Sequence, residues 1–193
     1  MMTRDNLLDL FRKSGALLEG HFRLSSGLHS SGYLQCALVL QDPRTASLLV
    51  GELAPLALGE HPNVVLSPAL GGLIVGHEMG RALGTRAIFA ERQDGTMMLR
   101  RGFTLSESDR VLVVEDVVTT GKSTRETIQV AVAAGARVVG AAAIVDRSGG
   151  NPDVDVPFHA LLAVDLPTYA PDACPLCAQG LPVVKPGSRP VSV

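Results

Sequence analysis

Residues 111–123 read VLVVEDVVTTGKS. Two adjacent carboxylates, Glu115 and Asp116, precede Val117 and Val118 and then a short turn of Thr119, Thr120, Gly121, Lys122 and Ser123. A tight turn of this kind, leading into a helix, offers backbone N–H groups and the positive end of the helix dipole to a phosphate dianion. Gly121 permits close backbone approach, and the three hydroxyls add donors. The carboxylates repel phosphate but accept hydrogen bonds from two vicinal hydroxyls, such as those of a ribose. The stretch lacks the GxxxxGK[ST] pattern, so it differs from a Walker loop.

The elements that must position these residues follow from the hydrophobic pattern. Residues 111–114 form an apolar run without polar alternation, which suits a strand buried on both faces of a parallel sheet. A helical pattern over 123–134 ends at Gly135, and 137–145 reads as another buried strand. Near the start, Thr3 can cap a helix carrying Leu7, Leu8, Leu10 and Phe11 on one side, with Gly15 as its stop. Residues 16–35 hold too many Gly and Ser for a core helix and read as short strands joined by turns. Asp42 before Pro43 opens a helix towards Leu58. A strand over 63–67 ends in Pro68-Ala69-Leu70-Gly71-Gly72, a helix spans 73–83 and a strand 85–90. From 91 to 110 the pattern weakens, with Asp94-Gly95 as a turn signal and Met97 and Met98 as adaptable apolar contacts. Alternating strands and helices predict an α/β fold with a doubly wound, mostly parallel sheet flanked by helices. The chain reads as a single domain, 1–193: a small N-terminal hood over 1–40, the α/β core over 41–166, and an irregular Pro- and Gly-rich C-terminal tail over 167–193.

Composition bounds the function. The 193 residues are 46% hydrophobic, enough for a packed core and too apolar for disorder. A formal net charge of −2 argues against a general nucleic-acid binder. No apolar run is long enough to span a bilayer, and MMTRDNLLDLFRKSG is amphipathic rather than signal-like, so the expected location is cytoplasmic. Three cysteines make no even disulfide framework. Cys36 sits among apolar residues and reads as core. Cys174 and Cys177 form a lone CxxC; zinc would need two more ligands, and the sequence has no second CxxC or HxxxH, although a dimer could bring two pairs together. His29 is either a ligand-side residue of the hood or an exposed polar histidine.

The VLVVEDVVTTGKS stretch closely resembles the phosphoribosyl pyrophosphate (PRPP) signature of type I phosphoribosyltransferases. FRKSGALLEGHFRLSSGLHS, ERQDGTMMLRRGF and the CPLC-bearing tail resemble the orotate phosphoribosyltransferase family, so the likeness runs over nearly the whole chain. The resemblance implies the type I phosphoribosyltransferase fold. It also implies Mg²⁺-dependent transfer of ribose 5-phosphate from PRPP to orotate, giving orotidine 5′-monophosphate and pyrophosphate in pyrimidine synthesis. It implies that Glu115 and Asp116 hold the ribose hydroxyls and that residues 117–123 hold the 5′-phosphate. Thr119 then touches both ligands, and Arg92, Arg100 and Arg101 close over the pyrophosphate. Asp116, Arg100 and Arg101 are the expected catalytic residues. No direct metal ligand is expected; Mg²⁺ travels on PRPP, near Glu115 and Asp116. The arginine-bearing loop is expected to enter the neighbouring subunit's site, which implies a homodimer with shared active sites.

Arg147 matches the family arginine that contacts orotate, and its planar guanidinium suits a carboxylate or an imide edge. Well-known members carry lysines where this chain has Gly71, in the pyrophosphate loop, and Ser25, near the orotate. Gly71 therefore implies backbone contacts to pyrophosphate, for which a cis peptide in PALGG is one arrangement. A purine phosphoribosyltransferase would share the signature without needing Arg147. A regulatory PRPP-binding protein would add a DNA-binding segment or a basic face, and the N-terminus has neither.

Overall fold

A computed structural model of the chain describes residues 2–24 and 26–186. Helix α1 (Arg4–Lys13) begins where Thr3, in an extended conformation, accepts a hydrogen bond from Asn6 N, and it buries Leu7, Leu8 and Phe11. Strands β1 (Leu17–Arg23) and β2 (His29–Leu34) form an antiparallel hairpin. A short turn of helix, α2 (Ala37–Leu40), leads to α3 (Pro43–Ala57), whose Asp42 cap accepts from Arg44 N with Pro43 in the first turn. The core then runs β3 (Val64–Pro68), α4 (Gly72–Leu83), β4 (Arg86–Gln93), β5 (Thr96–Leu99), β6 (Arg110–Val118), α5 (Lys122–Ala133), β7 (Arg137–Asp146) and β8 (Phe158–Ala163). The tail adds β9 (Thr168–Tyr169) and a four-residue helix, α6 (Pro175–Ala178).

Six strands form one sheet in the order β5-β4-β3-β6-β7-β8. The pairs β3–β4, β3–β6, β6–β7 and β7–β8 are parallel, and only the β4–β5 hairpin is antiparallel. The alternation of side chains along β6 divides the core. Leu112 and Val114 join the cluster with α1, α3 and α4, while Val111 and Val113 face Ile128 and Ala131 of α5. Helices thus cover both faces, as a doubly wound sheet requires. Helix α4 lies close to its strands because three glycines one turn apart face them: a Cβ on Gly72, Gly76 or Gly80 would stand 3.0, 2.5 or 2.7 Å from Ser67 or Ala87 side-chain atoms.

Three features depart from the sequence reading. The 91–110 stretch opens with ordered strand: β4 continues through Arg92 to Gln93 and turns at Asp94-Gly95 into β5. Its alternating polar residues mask the pattern because this edge hairpin is only half buried. The tail carries more order than expected, since β9 pairs with β2 to make a three-stranded hood sheet β1-β2-β9 and Val184 bridges to Phe22. His29 is buried, at 7% exposure, and so is not a solvated histidine.

Candidate active site

Strands β3 and β6 are neighbours whose continuations diverge. The chain leaves β3 through α4 to β4 on one side, and leaves β6 through α5 to β7 on the other. The crevice outside the carboxyl ends of such a pair is where open α/β sheets bind ligands. Here it is bordered by the loop after β3, residues 68–72, and by the loop after β6, residues 119–121. The first contains a cis peptide between Ala69 and Leu70, and Ala69 N donates to Ala90 O at 2.7 Å. The second turns at Gly121, which has φ 74° and serves as the N-terminal cap of α5. Glu115 and residues 117–124 enclose a small polar cavity of about 80 Å³ at that helix start. Lys122 N reaches Thr120 Oγ1 at 3.4 Å, and Thr119 and Thr120 are exposed. The turn therefore presents hydroxyls and the end of α5 to a phosphate-sized space.

The carboxylates sit at the strand end. Asp116 Oδ1 accepts from Val117 N at 2.9 Å, and Glu115 Oε1 accepts from Asp116 N at 3.3 Å. Burial, then the neighbouring Asp116 charge, raises the Glu115 carboxyl from its usual 4.5 to about 9. Burial also raises Asp116, against the hydrogen bonds that favour its charged form. Glu115 is therefore the protonated member of the pair at neutral pH, and Asp116 the better hydrogen-bond acceptor.

Arg147 follows β7 at the same edge, and its backbone N donates to Val118 O at 2.7 Å. The side chain is half buried, and burial lowers its pKa; its Nε is enclosed and has no hydrogen-bond partner. The Cys36 thiol, buried as expected, links these groups. Burial pushes its pKa well up, Asp116 and Glu115 add to the rise, and Arg147 opposes it. One small region thus gathers the two acids and a guanidinium with a donor to spare.

The other expected cations lie elsewhere in this conformation. Arg92 ion-pairs with Glu126 of α5 and donates to Gly95 O at 2.9 Å. Arg101 pairs with Glu91 at 3.0 Å and lies over the Phe89 ring, while Arg100 approaches Glu91 at 3.6 Å. The structure therefore brings Glu115, Asp116, Gly71, the 117–123 turn and Arg147 to one edge, and holds Arg92 on β4 and Arg100 and Arg101 in the turn that follows β5. Ser25 lies outside the described residues. Arg125 went unnoticed in the sequence: it joins the phosphate turn to the next loop, bonding Thr120 O at 3.3 Å and pairing with Asp153 at 2.7 Å. Its position one turn into α5 is a usable signal, because a cation there can reach back over the helix start.

This is the fold of the type I phosphoribosyltransferases, and solved members superpose on it. An orotate phosphoribosyltransferase from Aeropyrum pernix matches with a TM-score of 0.69 at 28% identity, over 82% of this chain and 93% of that one. The Mycobacterium tuberculosis enzyme in complex with PRPP matches with a TM-score of 0.65 at 26% identity, over 83% and 95%. An adenine phosphoribosyltransferase from Thermoanaerobacter pseudethanolicus shares the fold at 14% identity and a TM-score of 0.60. No family model matches the chain. Full-length relatives do: the orotate phosphoribosyltransferase of Pelotomaculum thermopropionicum is 53% identical over 190 residues, 98% of this chain and all of that one. That of Carboxydothermus hydrogenoformans is 54% identical over 186 residues, 95% and 97%. The chain belongs to the orotate phosphoribosyltransferase family.

Proposed function

We propose that the chain transfers ribose 5-phosphate from PRPP to N1 of orotate, releasing pyrophosphate and forming orotidine 5′-monophosphate for pyrimidine synthesis. The observation that carries the choice of base is Arg147: a half-buried guanidinium at the same sheet edge as the two acids, with an enclosed Nε lacking an acceptor. A buried donor left unpaired is costly, so the site gains most from a ligand that brings an anionic oxygen to it. Orotate carries a carboxylate and an imide; adenine, hypoxanthine and guanine carry no carboxylate.

The reaction breaks the bond from the anomeric carbon to the pyrophosphate oxygen and forms the bond to orotate N1, whose proton leaves before or during the step. Positive charge develops on the ribose ring, as in glycoside cleavage. Residues 117–123 anchor the 5′-phosphate. Asp116 and Glu115 accept from the ribose hydroxyls, and the negative charge of Asp116 faces the developing cation. Thr119 lies between phosphate and base, and the backbone around Gly71 meets the pyrophosphate. Arg92, Arg100 and Arg101 exchange their present partners for the leaving pyrophosphate when the hairpin closes, which also excludes water. No protein nucleophile is required.

Mg²⁺, carried on the oxygens of PRPP near Glu115 and Asp116, would neutralise the pyrophosphate charge, and the hard carboxylate oxygens of Asp116 suit a neighbouring Mg²⁺. The loop arginines act across a homodimer interface, so each site draws on both subunits. Among the described residues no helix is long and apolar enough to cross a membrane. A cytoplasmic location accords with the substrates.

The test is a product assay with purified protein, PRPP and Mg²⁺, offered orotate, adenine, hypoxanthine and guanine separately. Orotidine 5′-monophosphate should form, with no purine nucleotide. Arg147→Ala should raise KM for orotate roughly 10- to 100-fold while leaving KM for PRPP within about threefold. Purine turnover would overturn the choice of base, and equal effects on both substrates would remove Arg147 from it.

A further inference from the structure

The CxxC of the tail lies against two histidines of the hood of the same chain. His21 near the end of β1, His29 at the start of β2, Cys174 and Cys177 place one donor atom each within 4.8 Å of one another. His21 Nε2 lies 2.9 Å from His29 Nδ1, 3.5 Å from Cys174 Sγ and 3.8 Å from Cys177 Sγ, and Cys177 Sγ lies 3.3 Å from His29 Nδ1. We propose that these four side chains form a structural zinc site that clasps the C-terminal tail to the hood. This inference does not depend on the choice of substrate.

Three independent features carry it. The first is geometry. Tetrahedral zinc with Zn–N of about 2.0–2.1 Å and Zn–S of about 2.3 Å has N···N, N···S and S···S edges of about 3.3, 3.6 and 3.8 Å. The four separations given above, one N···N and three N···S, fall within about half an ångström of these values.

The second is the tautomer. His21 Nδ1 lies 2.8 Å from Leu181 O, and a carbonyl can only accept. The proton of neutral His21 is therefore on Nδ1, and a bare lone pair on Nε2 points into the cluster. A backbone carbonyl that fixes the non-ligating nitrogen is a recurring partner of zinc-bound histidine.

The third is charge and enclosure. His21, His29 and Cys174 are buried, and two thiolates with two neutral imidazoles exactly balance Zn²⁺, so the occupied site is neutral. All four positions come from protein, which makes the site closed and structural rather than catalytic. Its halves are a hairpin, held at His21 and His29, and the CPLC turn, where Ala178 N bonds Cys174 O at 3.2 Å and Gly180 N bonds Cys177 O at 2.9 Å. Zinc would thus fix the base of the loop joining β1 to β2.

The test begins with full-length protein purified under reducing conditions without a histidine tag or chelator. Elemental analysis should give about one zinc per chain. Cobalt substitution should give the visible bands of a tetrahedral ion and a thiolate charge-transfer band. Stripping zinc from the wild type should lower Tm by roughly 5 °C or more, and adding zinc back should restore it. Cys177→Ser should lose the thiolate band at least in part, and its Tm should no longer respond to chelator. Should Cys177→Ser fail to fold, stripping and refilling the wild type still decides the matter. Protein that takes up no zinc after reduction and reconstitution, or that contains a Cys174–Cys177 disulfide in place of free thiols, would overturn the proposal.

Discussion

Gly71 and Asp116 meet across the crevice between β3 and β6 so closely that a Cβ at position 71 would stand 2.6 Å from Asp116 Oδ1 and 3.1 Å from its Cγ. Gly71 has φ −54° and ψ −46°, a conformation open to any residue, so what the glycine provides is space beside the Asp116 side chain. A side chain at 71 in this arrangement would push against the carboxylate that is to hold the ribose.

Gly71→Ala should therefore act on catalysis more than on folding. Shifting a positioned group by about 1 Å can cost on the order of 100-fold. We expect kcat/KM for PRPP to fall at least tenfold by this reasoning, with Tm nearly unchanged because residue 71 itself is exposed. Steady-state kinetics and a thermal melt on the same preparation check it. Unchanged kinetics would mean that Asp116 moves freely without loss.

The raised Glu115 pKa makes stability depend on pH. In the folded chain the carboxyl titrates near 9, and unfolded near 4.5. Between these values the folded state binds more protons, so stability decreases as pH rises, by up to about 1.4 kcal/mol per pH unit. Below the lower value the effect is fully present, and above the upper it is lost. Asp116, also raised, acts in the same direction. Glu115→Gln should remove its share, so the variant gains on wild type steadily from pH 5 to pH 9 in urea unfolding. A constant difference across that range would show that Glu115 titrates normally.

Much of this site was legible in the sequence, and the reason is local. The run 111–114 is apolar on both faces, the acids end it abruptly, and Gly121 marks the turn, so strand, ligand edge and helix start follow from neighbours in the chain. Gly71 and Arg147 were placed by what the family resemblance implied, and their contacts were not. Arg92, Arg100 and Arg101 were expected in a loose loop, yet Arg92 lies on β4 and pairs with Glu126 of α5, and Arg100 and Arg101, just after β5, pair with Glu91. Charged residues alternating on a half-buried edge look the same whether they form a strand or a loop. The cluster of His21 with Cys174 was invisible for another reason: its members lie 153 residues apart and are joined only when the tail folds back.

The proposed sharing of sites between two subunits makes a prediction that monomer chemistry cannot. An Arg100→Ala, Arg101→Ala chain and a Glu115→Gln, Asp116→Asn chain should each be nearly inactive alone. In a mixed dimer one site combines an intact signature with an intact loop. Random exchange makes half the dimers mixed, each with one working site, so activity should return to about one quarter of wild type. Mixed dimers recovered through a tag on one partner, yet still inactive, would mean that the arginines serve their own chain.

Two helical glycines should respond oppositely to alanine. Gly51 of α3 has nothing within 4 Å of a built Cβ, so Gly51→Ala should stabilise by roughly 0.5–1 kcal/mol through helix propensity alone. At Gly76 the added methyl would meet Ser67 Oγ at 2.5 Å and Cβ at 2.7 Å. There the same gain should be outweighed by roughly 1–3 kcal/mol of overpacking. Chemical denaturation of the two variants reads both signs.

The hood sheet has a consequence for the order in which the molecule is completed. Strand β2 is flanked on one side by β1, made just before it, and on the other by Thr168 and Tyr169. Ser30 Oγ bonds Pro167 O across 137 residues, and Val184 bonds both His21 and Arg23 through the backbone. Closing a loop of that length costs about 4 kcal/mol of chain entropy. On the ribosome the hairpin emerges before the central sheet but keeps an open edge until that sheet has followed it out. The same edge should exchange its amide hydrogens before the central sheet does, since its closure rests on few contacts. A hairpin made ahead of the central sheet is thus completed only after it.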